Sequence, residues 1–471
     1  MKIVDENNRQ LTRERAHLHR RKAKGRYGLW SVLRRVLWTW WLWSFISIWA
    51  AASGEWGWAI ALAAIALISY LATPSEEPPR YGLDHEFSVD SREFLSSVVA
   101  STGVPFLDGN RVQLLNNGDE FYPAMLQAIN TAQSSITIEA FIYWHGQIGE
   151  RFARALSERA RAGVTVKILL DAVGSSTIGK EILRILKEGG CQVEWYNPIF
   201  WFTVGRFNNR THRKSLIIDG RLAFTGGAGI ADHWLGNAQD SRHWRDMQIS
   251  IDGPAAMPLQ TGFSRNWLET TGELISGEAF HPELDKVGEI SLQTILSSPE
   301  TGSSTVRIMY YLSIACARKS LYIANPYFIP DAVATDILIE AKQRGVDVKI
   351  MVAGIHNDMR SARYSSIELY GRFLEAGIEI YEYNRTMLHQ KTMVVDGIWS
   401  TVGTTNFDNR SFALNEESNV CMYDRDLATQ LQQIFLADLA ACDRVDLKTW
   451  RKRGLLTKAL GRLALLLKEQ I

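Results

Sequence analysis

Four blocks of sequence recur in the same order along this chain, and that duplication constrains the fold more than any other feature. SSITIEAFIYW (134–144) is answered by KSLYIANPYFI (319–329), both apolar runs of strand type. ERARAGVTVKILLD (158–171) is answered by EAKQRGVDVKIMVA (340–353), each a helix end, a Gly stop and a buried strand. LKEGGCQVEWYN (186–197) matches LEAGIEIYEYN (374–384), and THRKSLIIDG (211–220) matches LHQKTMVVDG (388–397). Strands alternating with amphipathic helices give α/β lobes, one per repeat. The expected architecture is two similar lobes, residues 105–285 and 286–446, packed face to face over a cleft.

The last pair of blocks carries chemistry. Each holds His-x-Lys-x4-Asp: His212, Lys214 and Asp219, then His389, Lys391 and Asp396, the two histidines 177 residues apart. Side chains alternate along a strand, so His and Lys two positions apart face the same way. An imidazole beside an ammonium suits an anionic phosphate, the Lys neutralising charge while the His attacks or donates a proton. The aspartates have the opposite parity, and Asp219-Gly220 and Asp396-Gly397 are two-residue hairpin signals. Each Asp is therefore expected to organise a turn or a salt bridge rather than act directly. Small residues follow each hairpin, Thr225 to Gly229 and Gly403 to Asn406, and can approach phosphate oxygens closely.

With paired H-x-K-x4-D motifs each followed by a small-residue stretch, the chain resembles the phospholipase D superfamily. NPYFIPD (325–331), GGAGIADHW (226–234), HWRDMQISIDGPA (243–255) and SFALNEESN (411–419) resemble bacterial cardiolipin synthases within it. That resemblance implies two phospholipase D-like α/β lobes, each a mixed sheet flanked by helices, forming a pseudo-two-fold pair. The implied reaction moves a phosphatidyl group from one phosphatidylglycerol to another through a phosphohistidine, with no cofactor and no metal. It casts His212 as nucleophile and His389 as acid and base, the reverse assignment staying open. Lys214, Lys391 and Asn406 would bind the phosphoryl oxygens, with Gly226, Gly227 and Thr404 lining them. A downstream carboxylate would orient each histidine: Asp246, 34 residues after His212, and Glu417, 28 after His389, with Glu416 as the lesser candidate. Gly227 and Gly229 stand where Ser and Asn are common in the family, so the first half would contact phosphate through backbone N–H groups. The alternative reading is a phospholipase D-type phosphodiesterase hydrolysing phospholipid or nucleic acid.

Ahead of the repeats lie two uncharged apolar runs of 17 residues, Val36–Ala52 and Trp56–Ala72, with eight of the sixteen tryptophans between Trp30 and Trp58. Each would extend about 25 Å as a helix, near the lower limit for a membrane span. Residues 36–72 are read as a transmembrane hairpin and 73–104 as a linker and entry segment. Residues 1–35 hold eleven Lys/Arg against three Asp/Glu and should stay cytoplasmic, leaving both lobes on the cytoplasmic side of the inner membrane. The full chain is +1, so everything after residue 35 carries −7, which argues against nucleic acid as a partner. Residues 447–471 form a basic amphipathic helix suited to anionic lipid, or else one packed on its lobe. Cys191, Cys316, Cys421 and Cys442 lie far apart, as fits a reducing compartment rather than a disulfide scaffold or zinc site. His145, just after a strand, either faces the cleft or has no special role, and Tyr327 is either core aromatic or cleft wall.

Overall fold

A computed structural model describes residues 40–71, 87–198, 209–298 and 305–465. The basic arm expected at 1–35, residues 73–86 of the expected linker and entry segment, and residues 466–471 at the end of the expected amphipathic helix lie outside the described residues.

Residues 1–77 form one unit, of which a helical hairpin is described. Helices α1 (Trp40–Ala52) and α2 (Trp56–Leu71) reverse at Gly54, whose φ of 80° favours glycine. Ser47 Oγ donates to the Ala59 carbonyl across the pair at 2.7 Å. Phe45, Ile48, Trp49, Trp58 and Ile60 are exposed. The two helices have 13 and 16 residues, shorter than the expected 17-residue spans, with residues 36–39 outside the described part. Among the described residues no helix is long and apolar enough to cross a membrane.

The other unit opens with α3 (Arg92–Thr102). The first half then runs β1 (Leu107–Asn116), α4 (Gly118–Thr131), β2 (Ser135–Ala140), α5 (Gln147–Arg161), β3 (Thr165–Asp171) and α6 (Lys180–Glu188). It continues through β4 (Gln192–Tyr196), β5 (Arg210–Thr211), β6 (Lys214–Ile218), β7 (Leu222–Gly226), β8 (Met247–Asp252) and α7 (Ala256–Thr271). The second half runs β9 (Ile290–Ser297), α8 (Thr305–Cys316), β10 (Ser320–Ala324), α9 (Ala332–Gln343), β11 (Asp347–Ala353) and α10 (Arg360–Glu375). It continues through β12 (Glu379–Tyr383), β13 (Thr392–Val395), β14 (Trp399–Gly403), α11 (Asn409–Ala413), β15 (Asn415–Tyr423) and α12 (Arg425–Asp438). The chain closes with β16 (Cys442–Arg444), α13 (Leu447–Arg451) and α14 (Leu455–Leu465).

The duplication is visible in the sheet. Its first half is ordered β1-β8-β7-β6-β2-β3-β4 and its second β9-β15-β14-β13-β10-β11-β12, with β16 added at the far edge. In each half three strands are parallel and the rest antiparallel, a mixed α/β sheet. The halves join edge to edge through the antiparallel β1–β9 pair, giving one continuous sheet, and their faces also meet in a shared core where Ile217, Ile249 and Ile251 pack with Val394, Val402 and Val420. Pairing β1 with β9 satisfies two strand edges that separate lobes would leave open.

Residues 87–102, expected within a linker, belong to the second half's core. Val89, Phe94 and Val98 are fully buried there, and Phe94 meets Trp399 edge-on at 5.1 Å. Ser91 caps the start of α3 by accepting from Phe94 N, and Gly103 ends the helix at a φ of 69°. At the other end, α14 packs on α10 through Gly461, where a Cβ would stand 3.2 Å from the Tyr364 carbonyl. The same helix leaves Leu455, Leu456 and Leu463 exposed. All four cysteines are free.

Candidate active site

Short backbone pairings between the halves position the two histidines. β5, immediately before His212, pairs with the start of β15 through Arg210–Asn415 and Thr211–Glu416. In the reciprocal place, Arg245 bridges Leu388, immediately before His389. The His212 N–H donates to the Glu416 carbonyl at 2.9 Å, and the His389 N–H to the Arg245 carbonyl at 2.7 Å. Each histidine is thus held beside the carboxylate-bearing strand of the other half.

The carboxylates consequently cross over. His212 Nδ1 lies 3.0 Å from both oxygens of Glu417, and His389 Nδ1 lies 2.7 Å from Asp246 Oδ2. Asp246 was expected to serve His212 and Glu417 to serve His389 within their own repeats; the structure reverses both. An ionised carboxylate only accepts, so each Nδ1 carries the proton and each Nε2 offers a lone pair. Glu416, the lesser candidate, instead pairs with Arg213.

Each carboxylate has its own support. Glu417 accepts from Thr404 Oγ1 at 2.5 Å and from Asn415 Nδ2 at 3.3 Å. Asp246 accepts from Trp234 Nε1 at 2.9 Å and from the Met247 N–H at 2.8 Å. Thr404 and Gly227 occupy matching places in the repeats, but Gly227 has no side chain to offer. A Cβ there would sit 2.1 Å from Asp246 Oδ1, so the carboxylate itself requires the glycine. The Gly227 N–H already donates to the Met247 carbonyl and the Thr404 N–H to the Ser418 carbonyl, so neither amide is available to phosphate as expected. Gly226 ends β7 where a Cβ would meet the Met247 carbonyl at 2.3 Å. Asn406 is buried and its Oδ1 has no hydrogen-bond partner; that oxygen can only accept, so Nδ2 is the atom suited to a phosphoryl oxygen.

Lys214 and Lys391 are buried beside their histidines, donating to the His212 carbonyl at 2.8 Å and the His389 carbonyl at 2.5 Å. Lys391 Nζ also lies 3.1 and 3.2 Å from the ring nitrogens of His389. Burial, and then the charge of Lys391, bring Lys214 down to about 7; burial brings Lys391 down to about 8. Burial lowers His212 to about 4 and His389 to about 3, each with the lysine of the other half adding to the effect. Burial opposes ionisation of Asp246 and Glu417, but the paired rings and lysines hold both carboxyls below their usual range. The resting site therefore holds neutral imidazoles, ionised carboxylates and poised ammonium groups. The influence of each lysine on the opposite histidine makes this one site.

Asp219 and Asp396 stand apart from it. They occupy the turn at the far end of the strand from the lysine, about 16 Å away at ~3.3 Å per residue. Asp219, at a φ of 51°, accepts from the N–H groups of Gln133, Ser134 and Ser135 where β2 begins. Asp396, at 53°, does the same for Arg318, Lys319 and Ser320 before β10. Each Asp therefore organises its turn and ties the hairpin to the start of the neighbouring strand, β2 or β10, and neither belongs with the catalytic groups.

Several residues of the site had no signal of their own in the motif. Trp234 and Trp244 flank the His389 ring, both with centroids at 5.4 Å, and Phe141 meets the His212 ring edge-on at 5.1 Å. The two tryptophans do fall within the segments GGAGIADHW and HWRDMQISIDGPA, whose chemistry the spacing left unread. His145 is exposed, its Nδ1 3.0 Å from the Thr177 carbonyl. Tyr327 is a core aromatic, buried among apolar residues, whose hydroxyl donates to Asp358. Among the described residues no group of three or more His, Cys, Asp or Glu is arranged to hold a metal ion.

The sequence profile described as cardiolipin synthase, phospholipase D-like domain matches residues 125–267 and 312–439, one segment in each half. A protein of Geobacillus sp. (strain WCH70) named cardiolipin synthase is 35% identical over 346 residues, covering 73% of this chain and 69% of its own. Cardiolipin synthase 2 of Staphylococcus epidermidis is 32% identical over 373 residues, covering 79% and 76%. Among solved structures, phosphatidylserine synthase of Haemophilus influenzae Rd KW20 shares the fold with a TM-score of 0.62. That likeness spans 81% of this chain and all of the other at 16% identity.

Proposed function

The chain belongs to the cardiolipin synthases with phospholipase D-like domains, and from this premise we propose that it condenses two phosphatidylglycerols into cardiolipin and glycerol. The observation that carries the mechanism is the crossed pairing of His212 with Glu417 and His389 with Asp246. It leaves two Nε2 atoms for one phosphodiester.

In the first step His212 Nε2 attacks phosphorus, the P–O bond to the leaving glycerol breaks, and His389 delivers the proton that glycerol takes away. In the second, the acceptor hydroxyl gives its proton to His389 while its oxygen displaces His212. Glu417 stabilises the positive charge on His212 as the P–N bond forms. Lys214, Lys391 and Asn406 neutralise and hold the phosphoryl oxygens. A bound phosphodiester has the charge opposite to the lysines, so it raises the proton affinity of both lysines and both rings. Binding thereby turns His389 towards its acid role.

We also propose that the hairpin α1–α2 and the exposed leucines of α14 meet lipid, with the catalytic halves on the cytoplasmic side of the inner membrane. Exposed Phe45, Ile48, Trp49 and Ile60 support the first contact. Leu455, Leu456 and Leu463 beside Lys452 and Arg462 support the second, as suits anionic lipid. The direct test is incubation of membranes from a cardiolipin-free host expressing the chain with labelled phosphatidylglycerol. Cardiolipin and glycerol in equal amounts are expected. Phosphatidic acid as the main product would mean hydrolysis, with water in place of the acceptor.

A further inference from the structure

A cavity of about 310 Å³ opens beside the two histidines, walled by Phe141, Trp144, Val173, Thr177, Trp244 and Asp358. Phe141 packs on the His212 ring and Trp244 on the His389 ring, so the cavity adjoins both. Asp358 comes from the second half, in the loop between β11 and α10, and its charge acts on Lys391. One of its oxygens accepts from the buried Tyr327 hydroxyl at 2.5 Å. Asp358 is exposed at the cavity, and among the described residues its carboxylate has no other hydrogen bond and no ion pair, so its second oxygen is open to solvent and to a bound hydroxyl.

We propose that this cavity is the alcohol subsite, and that Asp358, steadied by Tyr327, selects a glycerol headgroup by accepting from its vicinal hydroxyls. The proposal rests on the cardiolipin synthase reading. The lysines and Asn406 suit the anionic phosphoryl group, whereas a carboxylate repels phosphate and accepts from O–H donors. Trp244 and Trp144 offer apolar faces to the carbon edge of a small polyol. Double displacement at one phosphorus brings the entering alcohol to the place the leaving alcohol vacated. One subsite therefore serves both steps. In the second, the hydroxyl oxygen bonds to phosphorus as the P–N bond to His212 breaks, its proton goes to His389 Nε2, and His212 returns to neutral imidazole.

The test uses the full-length protein in detergent micelles of phosphatidylglycerol, with labelled glycerol and 1-propanol competing for the phosphatidyl-enzyme. This partition depends only on how the intermediate is consumed, so general damage to turnover leaves it unmoved. Asp358→Ala should lower the glycerol-to-propanol ratio by tenfold or more. Asp358→Asn, which keeps an acceptor oxygen, should retain an intermediate preference, and Tyr327→Phe should lose part of it. An unchanged ratio in Asp358→Ala and Asp358→Asn, or equal loss of both alcohols, overturns the proposal while wild-type cardiolipin formation leaves the family reading intact. Absence of cardiolipin from the wild-type protein overturns the reading itself.

Discussion

At the scale of single residues, a buried imidazole is useful to a phosphoryl transfer only if it stays neutral until substrate arrives. His212 and His389 lie at about 4 and 3 in the folded protein against an ordinary 6.5. The unfolded chain therefore binds more protons as pH falls below 6.5. Stability should be unaffected by these groups above that value and lost progressively towards pH 3, at about 1.4 kcal/mol per pH unit per histidine. The lysines set the other limb: in the free enzyme kcat/KM should fall as pH rises through about 7 to 8, far below the ordinary 10.5 of lysine. A pH–rate profile with that alkaline limb checks the point, and a limb near 10 would contradict it. The identity of these four groups is legible in the sequence because the motif occurs twice. Their proton affinities are not, since burial and the lysine of the other half produce them.

Individual elements separate residues that hold the fold from residues that hold the site, although one motif contains both. Asp219→Ala removes the acceptor of the Gln133, Ser134 and Ser135 N–H groups, of which only Ser135 lies in a buried residue, and should destabilise the protein by about 1–2 kcal/mol. Its kcat below the melting transition should stay within a few-fold of wild type. Gly227→Ala should do the opposite, since its Cβ would drive into Asp246 and tilt the carboxylate away from His389. Activity should fall by ~10²-fold or more with the fold retained. Denaturant titration and steady-state kinetics on the same two variants distinguish the roles. The hairpin at Asp219-Gly220 was readable because positive φ at both positions favours those residue types. The reason for Gly227 was not, because the atom that excludes a side chain comes from 19 residues further along. Helix α3 was hidden for a related reason: it buries Phe94 against Trp399, a partner more than half the chain away.

For the whole molecule, neither half is complete, since each lends a carboxylate to the histidine of the other. The two histidines should then behave as one device. His212→Ala and His389→Ala should each remove ~10²–10⁴-fold or more of the activity, and the double variant should be little worse than the poorer single one. Additive losses in measured kcat would indicate two independent sites. The sequence by itself determined the repeated α/β unit and the paired His and Lys groups, and motif resemblance pointed to the family. Strand alternation, turn chemistry and repetition are local properties that survive without knowledge of neighbours. Only the tertiary structure decided that the halves share one sheet and that Glu417 serves His212 while Asp246 serves His389. Those facts depend on which strand edges meet. Once β5 pairs with β15, the closest carboxylate in space is no longer the closest in sequence.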